Sequence, residues 1–479
     1  MYHPTTVDSC FVHDGHGLCG GIKDDKNNWN ILPHKDRLVR ITKYELLVLS
    51  SVFENNDNWE CAKLTSLHDQ KFILFFDKLS RFPKHLRDYE SIISLSLNEA
   101  GAVQAGQIKR NTCFPNIDKL EMIYSGPLLY VCNPLYKTPR KGCKSNLDFD
   151  NIGLCEIPEE FIQRTNYTPI VDLESYSSIN NSFDDSSKKW INYYKLAFRR
   201  MLSQTGERTL CGAIIPPATN HIDGVISCVF KDCGVLVEFT GLSSSLPLDF
   251  YLKVIGAANL HRERLESFPL GIADKYKSSL FARTLLLNCL TTAYADLWQE
   301  MWDGAYKLET WSLADKRLKP FNQLHENWAW DIPLRTFFER RMALVEIDVI
   351  AAMALGLTLE DLEMIYTIQF PVLQQNEADT WYDQKGNIVF TCSKGLIGVG
   401  LDRKRNARTG MLGWEDIRGD QIDENTYAGT SPTHTHTIDP AKSELYGGKQ
   451  VTYYAPYTKC DRIADYRRAW DHFEKIFNK

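Results

Sequence analysis

Trp190 to Pro217 reads WINYYKLAFRRMLSQTGERTLCGAIIPP, and the fold turns on how this stretch is divided. Tyr193, Leu196, Ala197 and Met201 fall at helical spacing, with Lys195, Arg199 and Arg200 on or beside that face. Gln204-Thr205-Gly206-Glu207 then breaks the pattern, and Thr209 to Ile215 reads as a buried strand. Pro216-Pro217 stops it, because proline cannot donate to a ladder. The expectation is a helix, a polar glycine turn and a strand. Arg199, Arg200 and Arg208 around that turn form a candidate phosphate-facing platform, set against the plain reading of a solvated basic rim.

Outward from this stretch, the chain of 479 residues suggests two to four domains or subdomains. With 43% hydrophobic and 24% charged residues it is built to bury a core and is not a disordered chain. A net charge of −6 argues against a coat of basic surface and leaves room for a local basic groove. The 13 cysteines are scattered and odd in number, and Met1 is followed by YHPTTVDSC instead of a basic and then apolar run. Reduced thiols and a cytoplasmic location are expected. No apolar run approaches the length that spans a bilayer.

Before the central stretch, Arg37 to Ile41 alternates like a half-exposed strand, Glu45 to Phe53 suits a helix, and Phe72 to Phe76 suits a short strand. Phe82 to Glu99 is read as containing an amphipathic helix, and Gly126 to Val131 as a buried strand. Ser175 to Lys188 is polar and turn-rich, a linker or mobile loop. After it, His221 to Phe239 should give one or two strands, and Leu246 to Leu252 begins another ordered unit. Leu286, Leu290, Tyr294, Leu297 and Met301 share a helical face. A second helix runs from Arg335 to Leu355, with Arg340, Arg341, Glu346 and Asp348 on its polar side and Gly356 as its stop. Thr358 and Asp361 form a capping-box pair for a third. Gly386 marks a turn between two strands, Val451 to Tyr454 is a strand, and Ala464 to Phe477 a final amphipathic helix.

The residue patterns that carry chemistry are few. Asn133-Pro134-Leu135-Tyr136 follows an apolar run, where adenine methyltransferases place an Asn-Pro-Pro-Tyr-like loop that grips a flipped base. Here the second proline is leucine, and the nearest glycine cluster, Gly395 to Gly400, lies far downstream. A strand followed by a proline turn is the simpler reading. His13 and His16 make one metal-like pair with no second pair, so no metal is expected. There is no phosphate loop and no Gly-x-Ser-x-Gly elbow. What remains is a set of basic loops with interleaved aromatics. They carry Lys137, Arg140, Lys141 and Lys144; Arg164 and Asn166; Arg199, Arg200 and Arg208; and Arg403, Lys404, Arg405 and Arg408. Such loops suit phosphate contact, with neighbouring polar side chains reading base edges.

Several ordered segments carry a resemblance. They include His13-Asp14-Gly15, Asn133-Pro134-Leu135-Tyr136, Arg164-Thr165-Asn166-Tyr167, FRRM and GERTL, LPLDFYLKVIG, RTLLLNCLTTAYADLW, FFERRMALVEIDVIAAMALGLTLEDL, GWEDIR and YYAPYTKCDRIADYRRAWDHF. Together they resemble the C-terminal target-recognition region of large bacterial adenine-specific DNA methyltransferases of restriction–modification and phage-defence systems, DISARM-like and BREX-like ones among them. The methyl-donor motifs of those proteins are missing, and Met1 stands just before the matching region. The resemblance therefore implies a stand-alone specificity subunit.

The expected fold is mixed α/β (α+β): a DNA target-recognition domain with an inserted helical subdomain. Residues 1–180 would form the N-terminal part of the recognition region, 181–279 its central α/β core, 280–375 the helical subdomain for partner docking or spacing, and 376–479 a strand and loop region with a final helix. The chain would be non-catalytic and hold no cofactor, with S-adenosylmethionine (SAM) carried by a separate catalytic DNA methyltransferase. Its expected partners are double-stranded DNA and that subunit, with other defence proteins alongside and no membrane. The rival readings are a diverged adenine methyltransferase using Asn133 to Tyr136, or a defence-complex scaffold that does not read DNA.

Overall fold

The computed structural model describes residues 4–17, 19–24, 26, 28–116, 121–171, 182–183 and 186–478, so most of the polar stretch read as a linker lies outside the described residues. The architecture is mixed α and β. Its centre is a four-stranded antiparallel sheet of β1 (Ser91–Ser94), β2 (Lys195–Arg199), β3 (Gly212–Ile215) and β4 (Val225–Phe230), in the order β1-β4-β2-β3. The expected strand at Thr209 to Ile215 is present as β3, whereas the expected helix before it is β2. Alternate residues of β2 enter different cores: Leu196 and Phe198 join the large helical core, and Ala197 packs on the opposite face with Ala213, Val225 and Leu129. A strand buried on both faces shows no alternation of apolar and polar residues, which erases the period-two signal and leaves chance helical spacings in its place.

Pairing of Phe198 with Gly212 fixes the β2–β3 register. A Cβ at Gly212 would lie 2.4 Å from the Phe198 ring, so only glycine leaves room for that ring.

Helices cover one face of the sheet. They are α1 (Lys43–Glu54), α2 (Phe72–Ser80), α3 (Cys233–Ser243), α4 (Leu246–Ile255), α5 (Asp274–Asn288), α6 (Phe337–Ala354), α7 (Leu359–Gln369), α8 (Pro371–Ala378) and α9 (Arg462–Phe477). A single hydrophobic core runs from Val48 and Phe76 through Leu286 and Ile350 to Phe473. The helices of the 280–375 segment thus share their core with the N-terminal helices and with the chain's last one. Helix α7 begins on the expected Thr358–Asp361 capping box, and Gly356 before it adopts a φ of 74°.

Other expectations are corrected. Phe72 to Phe76 begins a helix: the five apolar residues alone show no period, and the helical face of Phe72, Phe75, Phe76 and Leu79 appears only when Asp77 to Ser80 are read with them. Arg37 to Ile41 holds the end of a 3₁₀ turn, Lys35–Arg37, and no strand. Phe82 to Glu99 holds a 3₁₀ turn at Leu86–Asp88 and the strand β1. Gly126 to Val131 opens with the 3₁₀ turn Gly126–Leu128 instead of a strand. The region His221 to Phe239 supplies β4 and then switches to helix at Cys233. Helix α5 ends at Asn288, so Leu286 and Met301 share no continuous helix.

The expected polar side of α6 is also buried. Glu346 accepts from Arg283 Nε at 2.6 Å, and Asp348 from Arg462 Nη1 at 2.7 Å. Arg341 meets Glu377 at 3.0 Å and Asp465 at 2.6 Å. The C-terminal region forms a second sheet, with β5 (Thr380–Tyr382) and β6 (Ile388–Thr391) joined at Gly386 as expected, and a separate two-stranded ribbon, β7 (Thr433–Thr437) with β8 (Gln450–Tyr454). No helix among the described residues is long and apolar enough to cross a membrane.

Candidate nucleic-acid interface

The turn between β2 and β3, the loop from Ser125 to Lys137, the end of α8 and the end of β6 surround a cleft of about 1750 Å³. Eleven Arg and Lys residues line it against four Asp and Glu, in a chain whose net charge is −6. Four of the eleven are neutralised locally: Arg110 by Glu99, Arg208 by Asp249, and Arg341 and Arg462 by Glu377. Lys137, Lys144, Arg199, Arg200, Arg335, Arg340 and Lys394 have no carboxylate within salt-bridge distance among the described residues. The cleft therefore concentrates positive charge on a protein that is acidic overall.

Arg199 is held from below. Its Nε donates to the carbonyls of Gly126 and Leu129 at 2.9 and 2.8 Å. Its guanidinium lies 5.3 Å from the Tyr130 ring and 5.5 Å from Tyr136, which stack on each other at 4.7 Å. Lys137 sits 4.9 Å from the Tyr136 ring, and burial, with the Arg199 charge second, pulls its amine down to about 8. Arg200 donates from Nη1 to the Asp223 carbonyl at 3.2 Å.

Arg335 and Arg340 are buried, and each is held by three main-chain carbonyls. Arg340 binds those of Leu287, Leu334 and Cys132. Burial lowers both guanidinium pKa values to about 10, the mark of cations without counter-ions. They contribute field more than free donors.

Of the expected site residues, the cleft gathers Lys137, Lys144, Asn166, Arg199, Arg200 and Arg208. Arg208 is a correction. It is buried, its Nε lies 2.5 Å from Asp249, and its Nη2 donates to the Ser244 carbonyl, so it holds the fold and offers nothing to phosphate. Arg140 and Arg164 lie outside the lining and are spent on Asp150 and Glu444. Lys141 is exposed beside them, its main-chain N–H bound to Glu444. Arg403 pairs with Asp379 and Arg405 with Asp416, while Lys404 and Arg408 are exposed on the same separate loop.

Asn133 lines the cleft, but its Oδ1 accepts from the Leu135 N–H at 3.1 Å, and its main chain closes a turn with Tyr130. Lys394, the first residue of the expected basic loop Lys394 to Arg408, lines the cleft, and so does Glu207 of the expected polar turn; Tyr130 is the residue that sequence reading did not single out, because only the tertiary fold brings it to the cleft. All 13 cysteines are free thiols. Among the described residues no group of three or more His, Cys, Asp or Glu side chains is arranged to hold a metal ion.

Compared with protein-family models and with curated protein sequences, the chain matches none.

Proposed function

We propose that this chain binds double-stranded DNA and selects the target site for a separate SAM-dependent adenine-N6 DNA methyltransferase in a bacterial restriction–modification or phage-defence system. The observation that carries the DNA reading is the cleft, where cations without carboxylate partners gather on an acidic protein. Phosphate neutralisation dominates nucleic-acid affinity, and uncompensated Lys and Arg supply it. The methyltransferase partner rests on the resemblance of the ordered segments to target-recognition regions. The Asn133 side chain folds back on its own turn to accept from the Leu135 N–H, which supports a structural role for that turn.

The test is fluorescence anisotropy of a labelled duplex titrated with the purified chain across a salt series. Binding that weakens steeply with salt is expected. Absence of binding, both alone and with the cognate methyltransferase, overturns the reading. Calorimetry with SAM should show no heat for this chain by itself, whereas a diverged methyltransferase would bind it.

A further inference from the structure

Glu207 stands out among the acids of the cleft. Glu99 and Glu377 are paired with arginines, and Asp223 accepts from the Glu99 N–H and the Asn98 amide. Glu207 has neither an ion pair nor a main-chain donor among the described residues. Its Oε2 accepts from Asn376 Nδ2 at 2.7 Å and Ser393 Oγ at 3.3 Å, so α8 and the segment after β6 fix the carboxyl in place. Its Oε1 receives no donor from the described residues. Burial raises the carboxyl pKa from its ordinary value, with the Glu377 charge adding to the rise and Arg208, already paired with Asp249, opposing it.

A carboxylate oriented on one oxygen and open on the other is an acceptor awaiting a donor. The surrounding wall carries the stacked Tyr130–Tyr136 pair, Arg199 over both rings, and Lys137. Aromatic rings, cations and one fixed acceptor are the parts that recognise a nucleotide: stacking, phosphate and base edge. A recess of about 1750 Å³ has room for a few unpaired nucleotides. At the carboxylate, an exocyclic amine can donate, whereas a base that lacks the amine and has only ring acceptors on that edge leaves the oxygen unpaired.

We propose that the cleft holds an unpaired nucleotide whose base carries an exocyclic amine, the amine donating to Glu207 Oε1 while Lys137 and Arg199 face its phosphate. This rests on the nucleic-acid reading above and adds that the bound DNA is locally opened.

The experiment compares labelled oligo(dC) with an oligonucleotide of equal length built on 2-pyrimidinone, which is cytosine without its exocyclic amine and keeps the same ring acceptors. Both are titrated against the full chain near neutral pH, beside a duplex in the same buffer. A hydrogen bond to a charged group should favour oligo(dC) by roughly tenfold or more. Glu207→Gln should shrink or erase that preference, because a neutral amide accepts from the amine more weakly than a carboxylate does. Lys137→Gln should weaken both oligonucleotides and leave their ratio alone. Equal wild-type affinity for the two oligonucleotides overturns the inference without any variant, as does a Glu207→Gln protein that keeps the wild-type ratio. If the duplex binds while the ratio is flat, only this inference falls. If neither duplex nor oligonucleotide binds, the nucleic-acid reading falls with it.

Discussion

Asp249 on α4 accepts the Arg208 Nε–H at 2.5 Å and the main-chain N–H groups of Thr209 and Leu210 at 3.0 and 3.1 Å. One carboxylate thus fixes the residues that lead into β3 and neutralises the arginine beside them. Removing one partner of such a buried pair leaves the other charge stranded, at a cost of about 3–5 kcal/mol. Arg208→Met and Asp249→Asn should each lower the urea midpoint by the equivalent of that amount. The double change Arg208→Met with Asp249→Leu should recover part of the loss. A single variant as stable as the wild type would show the pair to be dispensable.

The cations that reach the cleft without a carboxylate partner should neutralise phosphates. Replacing Lys137, Arg200 or Lys394 by Gln should weaken duplex binding and flatten the salt dependence, the log–log slope shrinking by about 0.9 for each phosphate no longer neutralised. Arg140→Gln breaks an ion pair to Asp150 outside the lining and should leave that slope unchanged. Equal slopes for all four variants would remove the cleft from DNA binding.

Gly212 carries the Phe198 ring against its bare Cα. Gly212→Ala should cost about 1–3 kcal/mol through overpacking. Combining it with Phe198→Leu should make the alanine nearly harmless, since the ring that occupies the space is gone. A thermal melt of the four proteins in the cycle reads this coupling directly.

Lys195 is buried, with Nζ donating to the carbonyls of Ile191 and Tyr193 at 3.2 and 2.9 Å and lying 4.8 Å from the Trp190 ring. Burial, with the Lys188 charge second, lowers its pKa from 10.5 to about 7. Between those two values the unfolded chain holds a proton that the folded chain has shed, so stability rises with pH across that window. Below about pH 7 both forms are charged, and the full penalty of a buried cation applies. Lys195→Met should lack this rise, and its stability relative to wild type should fall as pH climbs from neutral toward 10. Parallel stability curves for the two proteins would contradict it.

Where a local rule governs an element, the sequence reveals it. Thr358 with Asp361 marks a helix start because a hydroxyl and a carboxylate at that spacing satisfy each other's main-chain donors. Gly386 marks a hairpin because its φ of 83° suits glycine. Strand β8 and helix α9 show their periods because one face of each meets solvent. Short segments with a dense apolar run do not: Phe72 to Phe76 and Leu196 to Phe198 are too short for either period to stand out, and their neighbours decide between helix and strand.

The same limit governs the site. Arg341 and Asp465 are 124 positions apart, so nothing local shows that α6's charges point inward. Among the basic loops, sequence marks charge without marking commitment. Arg199 and Arg208 read alike, yet one rests on carbonyls at the cleft wall and the other is sealed against Asp249.

The seat of α9 carries a consequence for how the protein is made. Phe473 and Phe477 fill the same core as Val48 and Phe76, and Arg462 binds Asp348 and Glu377 beside the cleft. A ribosome delivers the N-terminal helices long before residue 477 emerges. During that interval the nascent chain exposes an unfilled apolar seat and the acids that Arg462 later pairs with, surface of the kind that aggregates. Truncations that remove only α9 should accordingly yield insoluble protein and not a trimmed, working domain.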